Sequence, residues 1–157
     1  MQMFFENPQK TFTLRIISKQ TKIPLSSVQR YVEQLKKSNL ITLSNKAENT
    51  PYFKVRKTQF FINKMFTSGL IDYLEKQLQP SVIILFGSIR KGESDQTSDI
   101  DLFIETQKIK TVDLSKFEKK LKHKIELHLK ENINELPKRL FNNIINGIKL
   151  RGYINIK

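Results

Sequence analysis

The residues best suited to chemistry stand at two places close together in the chain. An apolar run, Val82 to Phe86, ends in Gly87-Ser88; a short polar loop then leads into Ser98-Asp99-Ile100-Asp101-Leu102. On a strand, alternate residues share a face, so Asp99 and Asp101 are expected to project together while Ile100 and Leu102 turn inward. Two carboxylates side by side repel, and a hard cation with oxygen ligands relieves the repulsion. The Gly-Ser turn suits an anion: glycine permits close backbone approach, the following N–H groups open a short helix, and Ser88 adds a hydroxyl donor. A turn of that kind beside a carboxylate pair suits a nucleoside triphosphate with its magnesium ions.

Phe86-Gly87-Ser88, Gly92-Glu93 and Ser98-Asp99-Ile100-Asp101-Leu102 carry a family resemblance. Residues 80–153 resemble the minimal nucleotidyltransferases of the polymerase β superfamily, and the tail over 143–153 is similar to that family's closing helix and short strand. The resemblance implies that Asp99 and Asp101 hold two Mg2+ ions, with Mn2+ as a substitute. It places a third carboxylate at Glu126, in the alternating run Lys124-Ile125-Glu126-Leu127-His128, where the family more often has Asp. Glu126 would ligate an ion or act as base for the acceptor hydroxyl. Gly87 and Ser88 would seat the triphosphate, and Arg90 and Lys91 would brace it or the leaving pyrophosphate. Gly92 is read as loop geometry, Glu93 and Asp95 as loop caps. His123 and His128 flank the third strand without a second histidine at metal-ligand spacing, and neither receives a role.

By the same resemblance the expected activity is transfer of a nucleoside monophosphate, AMP from ATP or another nucleoside triphosphate, to an acceptor hydroxyl. The preferred acceptor is a partner protein, as in toxin–antitoxin pairs with a helical toxin. Two rivals stand beside it: a DNA-binding regulator whose second domain only senses nucleotide, and a transferase whose acceptor is nucleic acid.

Further elements must position these residues. Residues 13–20 have a helical pattern, 21–24 break it, and Ser26 is expected to cap a second helix to about residue 37, with Val28, Val32 and Leu35 on one stripe. An extended segment begins near Leu40-Ile41, 45–50 reads as a turn, and 52–55 alternates as a second strand. Residues 3–56 thereby resemble a winged helix-turn-helix, on the pattern Leu14-x-x-Ile17-Ser18-x-x-Thr21-x-Ile23-Pro24 and Leu35 to Ile41. A first helix would have to fit within residues 1–7. Ser26, Ser27, Gln29 and Arg30 then lie where a recognition helix meets a major groove, and Lys46, Lys54 and Arg56 on the hairpin face phosphates. Residues 58–79 read as a helical linker interrupted at Gly69 and stopped at Pro80, whose aromatics serve interdomain or dimer packing. The expected organisation is α+β: a winged helix-turn-helix (1–57), a helical linker (58–79) and a small mixed-sheet nucleotidyltransferase domain (80–157).

Composition bounds the function classes. With 157 residues, 38 % apolar and 27 % charged, the chain describes an ordered globular protein. It has no cysteine, so disulfides and thiolate metal sites are excluded. No apolar run reaches membrane-span length and the N-terminus lacks a signal-peptide pattern, which leads us to expect a cytoplasmic protein without membrane contact. The net charge of +13 is uneven: residues 1–57 hold 11 Lys+Arg against 3 Asp+Glu, and residues 58–157 hold 17 against 12. The smaller segment thus carries +8, which points to DNA or another polyanion.

Overall fold

The computed structural model describes residues 1–156. The chain divides into two compact units, Met1–Lys57 and Thr58–Lys157, with the boundary inside one helix.

The first unit is helical. A short helix α1 (Gln2–Glu6) precedes α2 (Leu14–Thr21) and α3 (Leu25–Lys37). Thr13 caps α2, its hydroxyl accepting from Ile16 N–H. The cap expected at Ser26 falls instead at Pro24, whose carbonyl accepts from Val28 N–H and whose ring fixes φ at −53°. Ser26 therefore lies inside the first turn of α3. Phe4, Phe5, Phe12, Ile17, Val28, Val32, Leu40, Ile41 and Phe53 are buried. Phe4 meets Phe12 edge-on at 5.2 Å, and Phe5 meets Phe53 at 5.3 Å.

The expected wing is reduced to one tight hairpin. Ile41 bridges Ala47, Thr42 N–H donates to Lys46 O at 2.8 Å, and Glu48 N–H donates to Leu40 O. The second strand expected over 52–55 does not form, because helix α4 (Pro51–Ser68) begins there. Thr50 is its cap, accepting from Phe53 N–H at 3.1 Å, and Pro51 supplies the preset φ of a first helical residue. Lys54 and Arg56, expected on a hairpin, are thus on α4; Lys46 keeps its place on the return arm of the hairpin.

The second unit is an α+β layer structure around a four-stranded mixed sheet in the order β3-β2-β1-β4. Its strands are β1 (Val82–Phe86), β2 (Ile100–Glu105), β3 (Ile125–Lys130) and β4 (Ile148–Gly152). β1 is antiparallel to β2 and β4, whereas β2 and β3 are parallel. A parallel pair requires a crossover, and α7 (Ser115–Leu121) supplies it. β1 is buried at every residue, as its unbroken apolar run demands.

One face carries Ile83, Leu85, Ile100, Leu102, Ile104 and Ile125 into a core with Phe61 and Met65 of α4, the helix α5 (Leu70–Leu78), and α7. The linker expected over 58–79 is therefore integral to this unit. Gly69, at φ 83°, does separate α4 from α5 as anticipated. The opposite face carries Val82, Ile84, Phe86 and Phe103 under Ile133, Leu136 and Ile144, from a 3-10 turn (Ile133–Glu135) and α8 (Lys138–Ile145). Glu105 ties that cover down: its carboxylate accepts from Ser81 Oγ and from Ile133 N–H, both within 2.8 Å. Among the described residues, no helix is long and apolar enough to cross a membrane.

Candidate active site

Asp101 and Glu126 sit opposite each other in the parallel register of β2 and β3. Ile100 and Leu102 point into the core and are fully buried, which turns the half-buried Asp101 to the other face. Glu126 and His128, two apart on β3, share a face. Carboxylate oxygens of Asp101 and Glu126 and a ring nitrogen of His128 all lie within 4.8 Å of one another. His128 Nε2 is 3.3 Å from Glu126 Oε1, and its ring meets Phe86 edge-on at 5.1 Å.

Asp101 is held above the ordinary carboxylate range. Burial is the largest cause, followed by the negative charge of Glu126; His128 acts in the opposite sense, and Asp99 adds a smaller upward push. The site thus concentrates negative charge that a cation would relieve.

Gly87 abuts this cluster. It sits at φ 72°, in the left-handed region, and a Cβ there would overlap Asp101 Oδ2 and lie 2.8 Å from Asp101 Cγ. Only glycine meets both conditions, so the Gly-Ser turn and the carboxylates are locked together. The turn opens a short helix α6 (Gly87–Lys91) that ends at Gly92, also at positive φ. Ser88 is in its first turn; Arg90 and Lys91 are in its last, half-buried and exposed respectively. Thr58 of α4 fixes that end, its buried hydroxyl donating to Ile89 O at 3.0 Å and Arg90 O at 3.2 Å.

Asp99 occupies a different position. It immediately precedes β2, is half-buried, and stands outside the donor group formed by Asp101, Glu126 and His128. It lines a groove of about 550 Å3 with Lys119, Lys122, Lys124 and His123. The buried His123 Nδ1 is 2.6 Å from Ser98 O and, because a carbonyl only accepts, must be the donor. The other side of that ring packs on Phe61 at 5.1 Å. On the loop before it, Asp95 accepts from Thr97 N–H, Thr97 Oγ1 and Ser98 Oγ, which hold its carboxyl below the usual range. Asp95 is a loop cap, as its position suggested.

A family model described as "Polymerase beta, Nucleotidyltransferase" matches residues 68–151, more than half of the chain. The chain belongs to the nucleotidyltransferase family. No curated protein matches it. The matched span runs from the last residue of α4 into β4, and so includes the Gly-Ser turn, both aspartates and Glu126. Nucleotidyltransferase domains usually need a divalent metal, and the Asp101–Glu126–His128 group offers donors for one. Thr58 drew no expectation from the sequence, and His123 and His128, which the sequence leaves without a role, stand beside the site. His128 was signalled by its i, i+2 spacing from Glu126 on an alternating strand, whereas Thr58 and His123 carried no signal, because their partners are backbone carbonyls remote in sequence.

The expected DNA-reading residues lie on the first unit. Ser26, Gln29 and Arg30 are exposed on the N-terminal half of α3, with Ser27 half-buried beside them.

Proposed function

We propose that this nucleotidyltransferase moves AMP from ATP to a hydroxyl on a partner protein, releasing pyrophosphate, and that its first unit binds DNA. The observation that carries the transferase reading is the close approach of Gly87 to Asp101: it sets a turn suited to a triphosphate against a carboxylate suited to its cations.

In this reading Asp99 and Asp101 hold two Mg2+ ions, with Glu126 as a third ligand or as base for the acceptor hydroxyl; the crowding of Asp101 with Glu126 and the raised Asp101 argue for a cation beside that pair. Bound there, the ions would supply charge neutralisation at the triphosphate and acidify the acceptor hydroxyl. The backbone at Gly87 admits a phosphate closely, and Ser88 donates its hydroxyl to a non-bridging oxygen. The acceptor oxygen forms a bond to the α-phosphorus while the bond from that phosphorus to the bridging oxygen of the β-phosphate breaks. The acceptor's proton passes to Glu126, the exposed carboxylate of the cluster, where Glu126 serves as base, and to solvent where Glu126 is a metal ligand. Arg90 and Lys91, at the end of α6, offset charge on the departing pyrophosphate.

A helical toxin is the partner this family's minimal members suggest, with a tyrosine hydroxyl as acceptor; self-association as a homodimer is compatible. DNA binding is supported by the +8 charge of residues 1–57 and by Ser26, Ser27, Gln29 and Arg30 on α3, with Lys46, Lys54 and Arg56 as phosphate contacts. A regulator that only senses nucleotide is less favoured, because Asp99, Asp101 and Glu126 are all present. Incubation with ATP labelled at the α-phosphate and a lysate of the native host tests the reading. Label on a protein band supports it, label on nucleic acid moves the acceptor class, and no transfer favours the regulator.

A further inference from the structure

Two all-oxygen sites would be served by carboxylates alone, yet one of the three groups brought together on this face is an imidazole. His128 Nε2 stands 3.3 Å from Glu126 Oε1, with an Asp101 oxygen in the same cluster, all within 4.8 Å. Two donors each about 2.1 Å from one ion lie about 3 Å apart when adjacent and about 4.2 Å apart when opposed, so this group needs little movement to share an ion. The strand register fixes the arrangement: Asp101 pairs with Glu126, and His128 follows on the same face beside Phe103. Phe86, packed on the imidazole, orients the ring toward Glu126. Asp99, whose oxygens fall outside the group, leaves the two kinds of donor set distinct.

We propose that His128 is a metal ligand and that the Asp101–Glu126–His128 site takes a first-row transition ion, such as Mn2+, in preference to Mg2+. Mg2+ demands oxygen donors and sheds water reluctantly, whereas imidazole favours the later divalent ions over it. Asp101, common to both sets, would connect this ion to one held with Asp99. The ordinary alternative is a Glu–His ion pair at a strand surface, with no ion between the partners.

The proposal rests on the transferase reading only for the presence of a metal, and its test needs no turnover. The full chain is titrated with Mn2+ alone, and the bound ion is examined by electron spin-echo spectroscopy for nitrogen coupling. The chain has two histidines, and His123 is committed to Ser98 through Nδ1, so the candidates for an imidazole signal are few. We expect nitrogen modulation in the wild type that vanishes in His128→Gln, a variant that retains a hydrogen-bonding partner for Glu126. Mn2+ affinity should fall about tenfold or more in that variant, while Mg2+ competes better against Mn2+ than it does in wild type. The wild-type spectrum stands whether or not the variant folds. No bound Mn2+, bound Mn2+ without nitrogen coupling, or coupling that survives His128→Gln would each overturn the proposal. Failure here leaves Mg2+-supported transfer intact, and failure of transfer leaves the Mn2+ spectrum intact.

Discussion

At Asp101 two demands conflict. Burial and the neighbouring Glu126 disfavour its charged form, yet a carboxylate is what a cation requires. The sign follows from linkage: the folded chain holds a proton on Asp101 more tightly than the unfolded chain does. The metal-free fold therefore gains stability as pH falls through the raised value toward the ordinary one, and loses that gain as pH rises. Asp101→Asn should accordingly melt above the metal-free wild type at neutral pH while losing at least about a hundredfold in transfer rate, as checked by thermal melts and label incorporation. Gly87→Ala should fail in both respects. Its backbone sits at positive φ, for which a non-glycine residue costs about 1 to 3 kcal/mol, and its methyl displaces the Asp101 carboxylate. Denaturant unfolding beside an activity assay checks it. The Gly-Ser turn beside Asp101 was legible because a glycine leaves a mark in local sequence, whereas the strand period expected to project Asp99 together with Asp101 does not hold, since β2 begins at Ile100. The separation of Asp99 from the donor group was not legible, because it depends on where β2 begins.

Elements hold this site through a few directed hydrogen bonds. Thr58 secures the end of α6, and His123 secures the residue before Asp99. Thr58→Val keeps the shape and removes the donor, leaving two buried-side carbonyls less satisfied; we expect about 1 to 2 kcal/mol of lost stability. A loosened α6 should also raise KM for ATP more than it lowers kcat, measured in steady-state assays on the folded variant. The same scale shows where sequence periodicity misleads. Tyr52-Phe53-Lys54-Val55 alternates like a strand, yet Thr50-Pro51 is a strong helix start, and the helix prevailed. Residues 58–79 read correctly as interrupted helix, but amphipathic helices look alike whether they join domains or line a core. Only the packing of Phe61, Met65, Leu70 and Leu74 against the sheet distinguishes the two.

For the whole molecule, the proposed function assigns two tasks to one chain, of which family membership bears only on nucleotidyl transfer. The strong positive excess of residues 1–57 predicts binding to duplex DNA that weakens steeply between about 50 and 200 mM salt. Arg30→Ala with Lys46→Ala should lower the slope of log affinity against log salt by about 2, measured by fluorescence anisotropy. A slope unchanged by both substitutions would remove that surface from the DNA interface. The transferase claim is tested most directly with ATP labelled at the α-phosphate, supplied with Mg2+ to the purified chain and a host lysate. An Asp99→Ala/Asp101→Ala double variant is run in parallel. The account predicts label on one protein band with the wild type and none with the variant. A folded, nucleotide-binding wild type that transfers no label, or label that persists in the variant, would contradict it.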